Sequence, residues 1–161
     1  MNKKTLIKIT AVALVAAVII LIILSSFQEP VLVLEDNETG KIYMKIPVSD
    51  GEEFSVTFVH SVNKSPCSDI YQIRDGDIYL TKTTLYGFGA GVPTELYGDQ
   101  VMTRGEDGEM IISNMDTLMT NIVYLAGTVN DHNLSVNGGD DICLQEVCGY
   151  NKHVKIYCKG F

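Results

Sequence analysis

The chain has 161 residues with a formal net charge of -8, and this length suits one domain of ordinary size plus one accessory element. Three of the twelve basic residues lie in the first eight positions, so the remainder carries nine basic against twenty acidic residues, a net charge of -11. Surfaces that bind nucleic acid or anionic lipid headgroups need clustered lysine and arginine. The composition therefore argues against both kinds of partner, and the acidity is ordinary for a soluble surface.

Residues 9–27 form an apolar run without a charged side chain. At about 1.5 Å per residue the run reaches roughly 28 Å as a helix, close to the hydrocarbon thickness of a bilayer. Lysines precede it and acidic residues follow it, so the positive-inside rule places the N-terminus in the cytoplasm. We therefore predict a single-pass signal anchor in the cell membrane over residues 1–28 and an extracytoplasmic domain over residues 29–161. A cleaved signal peptide is the competing interpretation, although the run is longer than a usual signal-peptide core.

From Val31 onward, short segments alternate with period two between turn residues, which is typical of strands. In chain order they lie in VLVLED, NETGKIYMKI, PVSDGEEFSVTFVH, RDGDIYLTKTTLY, RGEDGEMIIS, NIVYLAG, HNLSVNGGDDICLQEV and HVKIYC. Asp75-Gly76 suits a hairpin turn because both residue types tolerate positive φ. No long segment after residue 30 keeps a helical period. The expected fold is all-β, an antiparallel sandwich or partly closed barrel behind one N-terminal transmembrane helix.

The segment FVHSVNKSPC brings a histidine, serines, a lysine and a cysteine close together in the sequence. Strand alternation places Phe54, Val56, Phe58 and His60 on one face and Ser61 on the other, which separates a base from its nucleophile. A serine hydrolase that uses Ser61 or Ser65 with Lys64 is an alternative, although a serine and a lysine at this spacing often occur by chance. The sequence has no Gly-x-Ser-x-Gly elbow.

His132 falls on the same parity as Leu134 and Val136, so it points toward the core as His60 does. A histidine at the edge of a core, hydrogen-bonded to backbone, is the simplest interpretation of either residue. The glycines of YGFGAGVP, including Gly89 and Gly91, allow a tight turn or the close approach of a ligand, and the sequence does not separate these two roles.

The four cysteines lie on the side of the membrane where disulfides persist. A hairpin closed over GYNK would place Cys143 opposite Cys158, so a cross-strand bridge between them is geometrically feasible. Three connectivities and reduced thiols stay open. Zinc is a weaker idea because no C-x-x-C spacing exists, although such a hairpin would bring Cys148 near His153. We expect no metal and no cofactor.

Taken together, HSVNKSP at residues 60–66, the following IYQI, LYGFGAGVPTE and the DHNLSV segment resemble a bacterial family catalogued as domain of unknown function 1850. The resemblance runs from about Val31 to Tyr157. It implies a small β-rich extracytoplasmic domain behind a membrane segment, associated with TRAP-type solute transporters of the TAXI group, and it brings no established activity. The matching signature positions are His60, Ser61, Lys64, Pro66, Gly89, Gly91 and His132. Cys67 departs from the family pattern and is a poor candidate for a shared role.

The expected function is a non-enzymatic, membrane-anchored accessory or binding protein beside a TRAP-type transporter. In this hypothesis His60, Lys64 and His132 line one polar pocket that binds a small anion or docks a partner segment. A serine hydrolase using Ser61 or Ser65 with Lys64, and a purely structural interaction domain, are the alternatives.

Overall fold

The computed structural model describes residues 13–20, 30–60, 64–86, 95–127 and 130–160. Residues 13–20 form a helix, α1, within the predicted membrane segment, whose other residues lie outside the described ranges. No helix in the described ranges is long and apolar enough to cross a membrane.

The described part of the chain from Pro30 onward is almost entirely β, with one further short helix, α2 (Leu144–Cys148). Its eleven strands are β1 (Val31–Asp36), β2 (Ile42–Pro47), β3 (Glu53–Val59), β4 (Pro66–Arg74), β5 (Asp77–Leu85), β6 (Val101–Arg104), β7 (Met110–Leu118), β8 (Ile122–Ala126), β9 (His132–Val136), β10 (Ile142–Cys143) and β11 (Lys152–Lys159).

These strands form two antiparallel sheets. The four-stranded sheet has the order β2-β1-β11-β8, and the seven-stranded sheet has the order β10-β9-β3-β4-β5-β7-β6. The prediction of an antiparallel β domain is confirmed. Of the two predicted forms, the described residues give two separate sheets and no closed barrel.

The main core lies between the two sheets, as strand alternation requires. Leu32 and Leu34 of β1 and Ile156 of β11 pack in one buried cluster with Phe54 and Val56 of β3. Each of these side chains is at most 2% exposed. The alternation predicted for the EFSVTFV segment is therefore confirmed, and it fixes which face of β3 points inward.

The Asp75-Gly76 hairpin is also confirmed. Asp75 and Gly76 have φ values of 51° and 86°, and Arg74 pairs with Asp77 across the turn. This turn joins β4 to β5. β4 itself was not predicted as a separate strand, because its inward positions include the charged Asp69 and interrupt the apolar alternation.

The hairpin over GYNK that would pair Cys143 with Cys158 does not form. Residues 144–148 form α2, which buries Leu144, Gln145 and Cys148, and this helical spacing of buried side chains is incompatible with a strand. The helix carries the chain from the seven-stranded sheet, where Cys143 pairs with Asn133, to the four-stranded sheet, where Cys158 pairs with Leu32. The register that motivated a Cys143–Cys158 bridge does not form, and all four cysteines are free.

Candidate functional site

A second apolar cluster lies apart from the main core and belongs entirely to the seven-stranded sheet. Its buried members are Cys67, Leu85, Met110 and Ile112, and Phe58, Met102 and Met115 pack against them. The main core, by contrast, draws on both sheets. The seven-stranded sheet has three more strands than its partner, so this cluster covers inward-facing surface of the wider sheet.

A cavity of about 330 Å³ opens beside this second cluster. We call it the Asp69 cavity. Its lining residues come from β3, β4, β5 and β7 and from the end of the β3–β4 hairpin: Phe58, His60, Cys67, Asp69, Thr83, Leu85, Ile112 and Met115. Most of this lining is apolar, and its polar side chains, His60, Asp69 and Thr83, are groups of the kind that fix the orientation of a ligand.

Asp69 is held by hydroxyl groups from both sheets. Thr83 Oγ1 donates to Asp69 Oδ1 at 2.9 Å, and the Tyr124 hydroxyl donates to Asp69 Oδ2 at 2.9 Å. Tyr124 lies on β8 of the four-stranded sheet, so its hydrogen bond crosses the sandwich. The Tyr71 hydroxyl lies 2.6 Å from that of Tyr124 and donates to it, because the Tyr124 proton is already directed at Asp69.

Burial keeps these groups in their donor forms. Burial first, and the charge of Asp69 second, raise the pKa of Tyr124 and the pKa of Tyr71 well above the ordinary value. The same two causes raise the pKa of the Cys67 thiol to about 12. At neutral pH the two phenols are thus protonated donors, and Cys67 is an uncharged thiol.

An irregularity in β7 presents Met115 to the Asp69 cavity. Leu80 pairs with Thr117 and Lys82 pairs with Ser113, so three residues of β7 stand opposite one residue of β5. The residues flanking Met115, Asn114 and Asp116, have φ values of 57° and 45°. Left-handed backbone is uncommon outside glycine and recurs at functional sites, and here it turns one thioether into the cavity.

His60 reaches the cavity from the end of β3. Its backbone N–H donates to the Ser65 carbonyl at 2.8 Å, and its carbonyl accepts from the Lys64 N–H at 2.9 Å. Lys64 is exposed and has a φ of 52°. These two hydrogen bonds fix the His60 backbone at the end of β3, while residues 61–63, Ser61 among them, lie outside the described residues.

His132 lies on the other side of Phe58. It pairs directly with Phe58 across β3 and β9, and the two rings stack with centroids 5.2 Å apart. Burial lowers its pKa, and a hydrogen bond from the ring to the Asn130 backbone opposes this shift. Its Nδ1 is buried without a hydrogen-bond partner in the described part of the chain. His132 thus occupies the core edge predicted from its strand parity.

Gln145 holds the chain segment that leads into β9. Its Oε1 accepts from the His132 backbone N–H at 3.0 Å, and its Nε2 donates to the Asn130 and Gly127 carbonyls at 2.7 and 3.3 Å. The side chain is 3% exposed. This buried amide ties the backbone at the start of β9 to helix α2, and sequence reasoning missed it because Gln145 lies on the unpredicted helix α2.

The structure brings only one of the predicted site residues to the Asp69 cavity among those it describes. His60 lines the Asp69 cavity, whereas Lys64 and His132 are not among its lining residues. Gly89 and Gly91 lie outside the described residues, as Ser61 does. The sequence did not single out Asp69 or Thr83. The parity that gave His60 and Phe58 an inward direction would have found Asp69, which is opposite Val56 in β3.

The fold and the cavity define a small two-sheet β domain with a half-buried carboxylate beside an apolar recess. A family model described as "Domain of unknown function (DUF1850)" matches residues 54–142, just over half of the chain, and the chain belongs to this family. The matched range contains every residue that lines the Asp69 cavity. Searches of curated proteins and of solved structures find no match.

Proposed function

We propose that this chain is an extracytoplasmic binding protein without catalytic activity, and that the Asp69 cavity holds its ligand. The observation that carries the proposal is a carboxylate fixed by two hydroxyl donors at the edge of an apolar recess of about 330 Å³. Small-molecule sites in proteins commonly have volumes of about 300 to 1,000 Å³, with mostly apolar walls and a few placed polar groups.

The polar network is better suited to recognition than to stability alone. A charged group that is partly removed from water costs free energy unless it is paired and hydrogen-bonded. Asp69 has hydrogen bonds but no cationic partner within ion-pair distance among the described residues. A ligand that contacts this carboxylate would supply a charged partner.

The proposed cellular setting rests on the sequence. The uncharged run over residues 9–27 would anchor the domain to the membrane with the domain outside, and the few residues around Pro30 would hold it close to the surface. The resemblance to TAXI-associated proteins supports a role for this domain beside a TRAP-type solute transporter. In this proposal the domain binds a ligand or a partner segment near the transporter.

The transporter part is tested with tagged full-length chain extracted from its native membranes in mild detergent. We expect subunits of a TRAP-type transporter to co-purify reproducibly. Their consistent absence from such pull-downs would refute the accessory role.

The binding part is tested by native mass spectrometry of the same purified chain. We expect a bound small molecule on the wild type that is lost in Met115→Trp, because the larger ring fills the Asp69 cavity from a partly exposed position. Leu118→Trp is the matched control, since Leu118 is 47% exposed at the end of the same strand. Equal ligand retention in both variants would place binding elsewhere.

A further inference from the structure

We propose that the Asp69 cavity selects an organic cation, a ligand with an ammonium group on an apolar or aromatic body, and that Asp69 is its counter-ion. This inference rests on the proposed binding function and narrows it to one class of ligand. It departs from the small anion expected from the sequence, because the cavity brings in a carboxylate that the predicted pocket did not include.

The charge of the lining favours a cation. Asp69 carries the only acidic side chain among the cavity residues, Cys67 is an uncharged thiol, and His60 is the one basic side chain of the lining. The exposed Lys64, which would have attracted an anion, is not part of the lining. An anionic ligand would meet the Asp69 carboxylate in a partly desolvated space, where like charges repel more strongly than in water.

The carboxylate also has hydrogen-bonding capacity to spare. Each ionised oxygen has about two acceptor sites, and Thr83 and Tyr124 use one on each oxygen. The two hydroxyls fix the carboxylate orientation before a ligand arrives, which lowers the entropic cost of binding. The N–H groups of an ammonium ligand would donate hydrogen bonds to the acceptor sites that Thr83 and Tyr124 leave open.

The apolar walls determine the rest of the ligand. Phe58, Leu85, Ile112 and Met115 surround the polar end, and they offer contacts to a hydrocarbon or aromatic body. An aromatic side chain beside a carboxylate stabilises a desolvated ammonium group. A highly hydrated ligand without an apolar part would leave these walls uncovered.

The test uses full-length protein in mild detergent and three probes with the same ring and a similar length: phenethylammonium, 3-phenylpropionate and 2-phenylethanol. Isothermal titration calorimetry measures each dissociation constant. We expect phenethylammonium to bind at least about tenfold more tightly than either other probe, since a hydrogen bond to a charged group is typically worth more than a factor of ten.

Two pairs of variants identify the group responsible. Asp69→Asn is expected to weaken phenethylammonium at least about tenfold while changing 2-phenylethanol little. Asp99→Asn, which removes a carboxylate that does not line this cavity, should change neither. Met115→Lys places an ammonium beside Asp69 and is expected to block phenethylammonium, whereas Leu118→Lys adds the same charge at an exposed position of the same strand, outside the cavity lining, and should not. This lysine pair keeps the test decisive if Asp69→Asn fails to fold.

Each outcome separates the cation inference from the binding function. Tighter binding of 3-phenylpropionate, equal binding of all three probes, or an unchanged dissociation constant in a folded Asp69→Asn overturns the cation inference. If Met115→Trp nevertheless abolishes binding of the preferred probe, the cavity still binds ligands and the proposed function stands. No binding of any probe up to its solubility limit also overturns the cation inference. In that case the native mass spectrometry of wild type and Met115→Trp tests the binding function separately.

Discussion

Replacing Tyr124 with phenylalanine tests whether the hydroxyl chain at Asp69 stabilises the sandwich. Tyr124 donates to Asp69 at 2.9 Å and accepts from Tyr71, whose hydroxyl lies 2.6 Å away. The substitution keeps the ring and its contacts with Phe58 and His132, which lie at centroid distances of 6.1 and 5.8 Å. It removes two hydrogen bonds and no apolar surface.

The expected cost follows from the groups left behind. Loss of a hydrogen bond to a charged group costs about 1.5 to 3 kcal/mol, and an unsatisfied buried donor adds about 1 to 3 kcal/mol. Tyr71 is 3% exposed, so water replaces its lost acceptor poorly, whereas Asp69 at the cavity regains some water. We therefore expect Tyr124→Phe to lower the free energy of unfolding by about 2 to 4 kcal/mol.

Urea unfolding of the full chain, followed by circular dichroism, measures this loss as a shift in midpoint at constant slope. Tyr157→Phe is the matched control. Its hydroxyl also donates to a carboxylate, Glu35 at 2.7 Å, but on the opposite face of its strand from the buried Ile156. We expect a loss below about 1.5 kcal/mol there.

The Tyr71→Phe variant completes a double-mutant cycle with Tyr124→Phe. The two losses should be non-additive by about 0.5 to 3 kcal/mol, since both variants remove the same hydroxyl contact. Additive losses, or a Tyr124→Phe loss no larger than that of Tyr157→Phe, would refute the conclusion that this chain of hydroxyls links the two sheets.

Three further predictions concern titration and reactivity. Because the pKa of His132 is lowered in the folded chain, the unfolded chain binds the proton more readily. The stability that neutral His132 contributes is therefore complete above about pH 6.5 and is lost as the pH falls below that value. His132→Phe should reduce the change of the unfolding midpoint between about pH 7 and 5, and an unchanged pH dependence would contradict this. Cys67, kept as the sole cysteine, should react with iodoacetamide about a thousandfold more slowly at pH 7 in the folded chain than in urea, because the rise of its pKa from 9.0 to about 12 depletes the thiolate; comparable rates would show an accessible thiolate. A fluorophosphonate probe should not label the folded chain, and labelling abolished in the joint Ser61→Ala and Ser65→Ala variant would instead support the hydrolase alternative.

The strand pattern was predictable wherever one face of a strand is apolar. The inward positions of β3 and the Asp75-Gly76 turn depend on alternation and on local backbone preference, both of which are written in neighbouring residues. β6 was missed because the VMTR segment is short and mostly exposed. Helix α2 was missed because five residues are too few to display a helical period.

The candidate site was predictable only in part. His60 was found because its parity matches Phe58, and the structure places it on the cavity wall. Lys64 was grouped with it because of sequence proximity, yet the hairpin end leaves Lys64 exposed. Asp69 was passed over because a carboxylate in a strand normally faces water, and its partners are distant in sequence, with Tyr124 55 residues away.

The sequence by itself determined the β class, the acidic character and the inward direction of individual side chains, because these follow from composition and from a period of two along each strand. Only the tertiary structure decided which strands became neighbours, and pairings between distant segments cannot be read from local pattern. That pairing brings Thr83 of one strand and Tyr124 of the other sheet to Asp69, and it opens the cavity beside them. The binding properties proposed for this protein therefore depend on contacts that no single segment of the chain encodes.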